Sequence, residues 1–197
     1  MRIDPVRDAL VIVDVQNDFC PGGALGVPHG DAVVLVLNRY AEHFAAAGAP
    51  VFASRDWHPA RTSHFKAYGG VWPPHCVQNT PGADFHPRLA LPSGAAIVSK
   101  GMDPSEDAYS CFQAETAEGR PFAAALAEAG VGRLFVGGLA TDYCVKSTVV
   151  DGVREGFEVV VLADAIAAVD LTPGDGAKAL DEMRAAGARM VRLDELD

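Results

Sequence analysis

Three polar residues of the 197-residue chain, Asp14, Lys100 and Cys144, are of the types needed for nucleophilic acyl chemistry. A cysteine attacks as its thiolate, a carboxylate takes the thiol proton, and a nearby ammonium favours the charged form of both. Each has an ordinary reading as well: turn former, solvated lysine, core filler. Their positions argue for chemistry. Asp14 stands near the end of the apolar run Ala9-Leu-Val-Ile-Val-Asp-Val15, Lys100 closes Ala96-Ile-Val-Ser-Lys100, and Cys144 follows Leu134-Phe-Val136 and Gly137-Gly138. If these runs are strands of one parallel sheet, all three residues share the carboxyl edge, where such sheets bind ligands. Thr141 reads as a helix N-cap with Asp142 in the first turn. Cys144 would then lie where unpaired N–H groups and the helix dipole favour a thiolate. The N–H groups of Ala140 and Cys144 are candidates to hold a developing oxyanion.

A second constellation lies in a long irregular stretch, residues 55–95. It holds four of the six histidines and both tryptophans, with ten prolines and glycines between Pro59 and Gly94. Such a stretch inside a compact domain usually serves binding. Asp56-Trp57-His58, His64 and His75 offer one carboxylate and three imidazoles, a donor set suited to Zn, Fe(II) or Mn. Asp56 follows the apolar run Val51-Phe-Ala-Ser54, which puts it at the same sheet edge. Cys76 is an alternative ligand, while His29, His43 and His86 have no grouping and read as surface or loop residues.

These residues need a scaffold. Continuously apolar runs at 9–15, 51–54, 96–99, 133–137, 159–162 and 189–191 read as buried strands. Helical spacing occupies 31–47 (Val33, Val36, Leu37, Tyr40, Phe44), 121–129, 141–155 (Val145, Val149, Val153) and a segment from Thr172-Pro173 to Gly187 with Ala177, Leu180 and Arg184 one turn apart. Residues 102–119 read as loop. The alternation predicts one α/β domain over residues 1–197. It would be three-layered and doubly wound, with a mainly parallel six-stranded sheet and helices on both faces. There is no internal repeat, and neither a GxGxxG nor a P-loop motif, so nucleotide binding has little support.

Composition narrows the partners. With 49% hydrophobic residues, a net charge of −10 and a pI near 4.9, the chain is a globular domain ill-suited to nucleic acid or anionic membrane. No apolar stretch approaches a membrane span of roughly 20 residues, and the N-terminus lacks a signal peptide's apolar segment, which predicts a cytoplasmic protein. The four scattered cysteines read as free, catalytic or ligating. A homo-oligomer is compatible with the Val- and Ala-rich helix surfaces.

The assembled residues closely resemble the nicotinamidase/pyrazinamidase branch of the isochorismatase-like cysteine hydrolases. The resemblance runs through Val11-Ile-Val-Asp-Val-Gln-Asn-Asp-Phe-Cys20, Arg55-Asp-Trp-His58 with His64-Phe65, Trp72-Pro-Pro-His-Cys76 and Thr80-Pro-Gly-Ala-Asp-Phe85. It continues through Lys100-Gly101, Asp107-Ala-Tyr-Ser-Cys-Phe112 and Gly138-Leu-Ala-Thr-Asp-Tyr-Cys-Val145, covering nearly the whole chain.

That resemblance implies a triad of Asp14, Lys100 and Cys144, an oxyanion hole from Ala140 and Cys144, and a cis peptide between Leu139 and Ala140. It implies one divalent metal, zinc first and iron or manganese as alternatives, on Asp56, His58 and His75, with His64 a further ligand in some members. Phe19, Trp72 and Tyr109 would hold the ring of nicotinamide, with Leu139, Ala140 and Tyr143 completing the pocket. The implied reaction is hydrolysis of nicotinamide to nicotinic acid and ammonia through a Cys144 thioester, with pyrazinamide as a second substrate and NAD salvage as the setting. Tyr143 stands where some relatives have His, and Cys111 where a small residue is more usual. Three rivals remain at this stage: an amidase for another small carboxamide or ureido compound, a metal-hydroxide hydrolase, and a non-catalytic thiol or metal-binding protein.

Overall fold

The computed structural model describes residues 1–196. Seven strands form one sheet in the order β4-β3-β2-β1-β5-β6-β7. They are β1 (Asp8–Val13), β2 (Val51–Asp56), β3 (Ala96–Lys100), β4 (Glu115–Thr116), β5 (Arg133–Leu139), β6 (Glu158–Ala167) and β7 (Arg189–Val191). All neighbours pair in parallel except β3 and β4. The strand count thus exceeds the expected six by β4, a two-residue antiparallel edge piece inside the segment read as loop. Its sequence, Glu115-Thr116, has no apolar run to announce it. Pairing with Val98 and Ser99 and a hydrogen bond from Thr116 N to Arg120 O (2.9 Å) hold it in place.

The central strand shows why the sheet needs two covers. Every residue of β1 is buried. Successive strand side chains point to opposite faces. Leu10 and Ile12 accordingly enter the core under helix α1 (Val33–Ala47), beside Val34, Leu37, Tyr40 and Phe44. Ala9, Val11 and Val13 enter the opposite core with residues of α2 (Phe122–Glu128), α3 (Lys146–Arg154) and α4 (Asp175–Ala186). The result is a three-layer α/β arrangement. In α4 the buried residues are Gly176, Ala179 and Met183, and of the three residues spaced one turn apart in the sequence Leu180 packs against the same core while Ala177 and Arg184 are exposed.

The winding runs outward from β1 to β2 and β3 on one side, and from β5 to β6 and β7 on the other. The reversal falls between β1 and β5, whose register pairs Val13 with Gly138. The carboxyl ends of β1, β2, β3 and β5 therefore converge at the switch point of the sheet. Residues 57–95 are irregular but pinned, by bridges between His58 and Val77, Phe65 and Trp72, and Gln16 and Phe85.

Candidate active site

Asp14 directly follows β1 and takes a left-handed conformation, φ 48°. Asp tolerates that region better than most residues. Its N–H points at Ser54 O (3.2 Å), and Ser54 Oγ donates to Asp14 Oδ1 (2.7 Å). The other oxygen, Oδ2, forms an ion pair with Lys100 Nζ at 2.8 Å. Asp14 is wholly buried, so this ion pair is shielded from solvent. Lys100 ends β3 and is wholly buried; its Nζ also meets Asp56 Oδ1 and lies 3.5 Å from Cys144 Sγ. A carboxylate oxygen of Asp14, one of Asp56 and Cys144 Sγ all fall within 4.8 Å of one another. The three residues singled out at three strand ends thus meet around one ammonium.

Burial raises the Asp14 carboxyl above its ordinary range, and Lys100 offsets only part of that. Burial also pushes the Cys144 thiol well up, with Lys100 pulling against it and Asp14 pushing with it. Burial opposes the charge on Lys100, but Asp14 and Asp56 beside it hold the ammonium firmly protonated. Burial thus works against the thiolate that a helix start was expected to favour, and that helix start is itself built differently. Ala140, in an extended conformation, takes the cap position in place of Thr141, which is buried and makes no side-chain cap. Residues Thr141–Val145 form a π-helical turn, a distortion often found at functional sites. The Ala140 carbonyl accepts from both Tyr143 N and Val145 N, each at 3.1 Å. The Leu139–Ala140 peptide is cis.

The metal-type cluster also assembles. One ring nitrogen each from His58, His64 and His75 lies within 4.8 Å of the others. Asp56 Oδ2 faces two of them, 3.6 Å from His58 Nε2 and 3.9 Å from His75 Nε2. In each ring Nδ1 meets an oxygen: Gly101 O for His58 (3.0 Å), Pro73 O for His75 (2.9 Å) and Asp107 Oδ1 for His64. A carbonyl or carboxylate oxygen only accepts, so Nδ1 carries the proton and Nε2 keeps its lone pair. Burial pushes His75 down to about 4, and it also lowers His64, so both rings are neutral near pH 7. His58 Nε2 is buried without a partner among the described residues. Burial works against ionising Asp56, but Lys100 and His58 hold it below the usual carboxylate range. Two buried carboxylates against one ammonium leave a negative charge, and three lone pairs converge beside it. The residues fit a divalent cation.

Above the triad and the histidines lies a cavity of about 250 Å³, walled by Phe19, Trp72, Tyr109, Tyr143, Ala140 and His75, with Cys144, His64 and Asp56 also reaching it. Trp72 Nε1 donates to Tyr109 Oη (2.9 Å), and Trp72 meets Tyr143 edge to face at 5.2 Å. Leu139 departs from the expected pocket list. Its side chain is wholly buried in the core beneath α1, packed near Gly30, and Ala140 faces the cavity instead. Cys76 is buried, its thiol raised by burial, and its N–H donates to Asp18 Oδ2 (2.7 Å).

Several supporting residues escaped the sequence reading. Gln16 clamps Asp56 from both sides: its Nε2 donates to Asp56 O (2.8 Å) and its Oε1 accepts from Asp56 N (2.8 Å). Asp142 accepts from Val169 N and Asp170 N, both at 2.9 Å, and so ties the loop after β6 to the Cys144 turn. Val169 and Leu171 on that loop complete the cavity wall.

Residues 8–195 match the isochorismatase domain family. The chain is 43% identical to a nicotinamidase of Escherichia coli, with 94% of each chain covered. Among solved structures, the pyrazinamidase of Pyrococcus horikoshii in complex with zinc is similar at 44% identity and a TM-score of 0.86, covering 95% of this chain and 99% of that one. PnC1 from L. infantum in complex with nicotinate is similar at 34% identity and a TM-score of 0.88, covering 100% of this chain and 98% of that one.

Proposed function

The chain belongs to the isochorismatase domain family, and from that premise we infer that it is a nicotinamidase, a hydrolase of the amide C–N bond that converts nicotinamide to nicotinic acid and ammonia. One observation carries the reading. Cys144 lines an aromatic cavity together with His64 and His75, and behind it Sγ lies 3.5 Å from Lys100 Nζ, which pairs with Asp14 Oδ2 at 2.8 Å. A flat ring carrying a carboxamide would fit there with its carbonyl carbon at the thiol and its ring nitrogen toward the histidines. Pyrazinamide keeps both features and is hydrolysed as well.

The proposed chemistry uses the chain's own groups. Asp14 Oδ2 takes the Cys144 proton, its base strength raised by burial. The sulfur attacks the carboxamide carbon while Lys100 holds the carboxylate in place. Charge developing on the carbonyl oxygen is received by the N–H groups of Ala140 and Cys144. Asp14 returns the proton to the leaving nitrogen, the C–N bond breaks, and ammonia departs from a thioester. Asp14 then takes a proton from water, whose oxygen attacks the thioester carbon. Nicotinic acid leaves and the sulfur regains its proton.

Asp56, His58, His75 and His64 would hold one divalent metal ion, zinc first with iron or manganese as alternatives, and when bound it supplies an electrophilic anchor that orients the ring nitrogen. Phe19, Trp72, Tyr109 and Tyr143 grip the ring faces, which suits a small substrate with few polar handles. A cytoplasmic setting in NAD salvage accords with four cysteines that are all free thiols. The test is ammonia release from nicotinamide: wild type should turn over and Cys144→Ala should lose essentially all turnover while keeping its metal. Unchanged activity in the variant would reject the nucleophile.

A further inference from the structure

The three imidazoles are not anchored alike. His58 and His75 are fixed through Nδ1 by backbone carbonyls of Gly101 and Pro73. His64 is fixed by a side chain, the carboxylate of Asp107, which is 56% exposed and lies outside the cluster. Asp107 is not isolated. Gln113 Nε2 donates to Asp107 O (3.0 Å), and Gln113 Oε1 accepts from Tyr109 N (3.0 Å). Gln113 thus holds Asp107 and Tyr109 as one unit. The start of the same segment is bound beside His64, where Ser63 N donates to Pro104 O (2.7 Å). At its far end Tyr109 Oη accepts from Trp72 Nε1, and its ring lies 5.8 Å from that of His64.

We propose that Asp107 is a positioning residue for the metal site, holding His64 in the tautomer that aims Nε2 at the shared centre and joining that ligand to the aromatic wall through Tyr109. The proposal rests on the reading of His58, His64 and His75 as a metal site. A carboxylate on the far nitrogen of a ligating histidine fixes its ring and strengthens it as a donor, and its loss typically costs ten- to a hundredfold in metal affinity. Because Asp107 is a solvent-facing side chain on an irregular segment, it can be removed without opening the core.

The test is zinc affinity of the purified full-length protein, measured by competition with a chromogenic chelator, together with the visible spectrum of the cobalt-substituted protein as a report on ligand geometry. Asp107→Ala should lower zinc affinity about ten- to a hundredfold and alter the cobalt spectrum. Asp107→Asn retains an accepting oxygen and should recover much of the loss. Asp103→Ala, on the same segment, where the carboxylate accepts from Ser105 N and Ser105 Oγ, should change neither. The double variant His64→Ala/Asp107→Ala should bind zinc as His64→Ala does alone, since Asp107 acts only through that ring. Zinc affinity within twofold of wild type in Asp107→Ala, or additive losses in the double variant, would overturn the proposal. Zinc binding unchanged by His58→Ala would instead sink the metal site itself.

Discussion

Ser54 Oγ donates to Asp14 Oδ1 at 2.7 Å, which leaves Oδ2 as the oxygen that pairs with Lys100 Nζ at 2.8 Å. In the proposed mechanism the hydroxyl selects the carboxylate oxygen that receives the thiol proton. Ser54→Ala should lower kcat roughly ten- to a hundredfold, the worth of one hydrogen bond to a charged group of about 1.5–3 kcal/mol. KM for nicotinamide should stay within about twofold, because Ser54 is wholly buried and does not line the cavity. Alkylation of Cys144 by iodoacetamide should slow in parallel. A rise in KM with unchanged kcat would contradict this role.

Lys100 is the only cation against two buried carboxylates, Asp14 and Asp56, among the described residues of the site. Removing one partner of a buried ion network costs about 3–5 kcal/mol, because the remaining charges lose their compensation. Lys100→Met should therefore lose that much stability in urea unfolding near pH 7, besides losing activity. Stability within about 1 kcal/mol of wild type would show that the ammonium contributes no net compensation.

Gly101 connects the triad to the histidines. It has φ +69°, and a Cβ built there would stand 2.4 Å from His58 Cε1. Gly101→Ala should displace His58 and reduce bound metal per chain without altering any ligand. Gly119→Ala supplies the control, since Gly119 has a similar φ of +76° but nothing within 4 Å of a built Cβ. Equal metal content in the two variants, measured by elemental analysis, would contradict the steric account.

Tyr109 and Trp72 share a hydrogen bond on the cavity wall. Tyr109→Phe keeps the ring and removes only that bond, worth about 0.5–1.5 kcal/mol. KM for nicotinamide and for pyrazinamide should each rise about two- to tenfold, with kcat nearly unchanged. A kcat effect without a KM effect would move Tyr109 from the ring clamp to the chemical step.

Much of this arrangement can be read along the chain. Continuous apolar runs mark the buried strands, and strand alternation places Asp14, Asp56 and Lys100 at one edge because each lies at or beside the end of a run. What escapes the sequence depends on partners far apart. Ser54 reaches Asp14, and Gln16 reaches Asp56, across 40 residues; His64 reaches Asp107 across 43. No local pattern announces a hydrogen bond of that span. The Thr141 cap failed for a different reason: the backbone at Ala140 already supplies the cap geometry, and the following turn winds as a π-helix. The helix-start argument for a thiolate also leaves out burial, which pushes the Cys144 thiol up. Glu115-Thr116 is too short and too polar to carry a strand pattern.

The most direct test of nucleophilic catalysis by Cys144 is to quench the reaction with acid during turnover of nicotinamide and weigh the intact protein and its peptides. A species heavier by one nicotinoyl group should form and decay with the kinetics of turnover, with the added mass on the peptide that carries Cys144. It should be absent from Cys144→Ala. Full nicotinamide turnover by Cys144→Ala, or added mass confined to a peptide lacking Cys144, would contradict the thioester route.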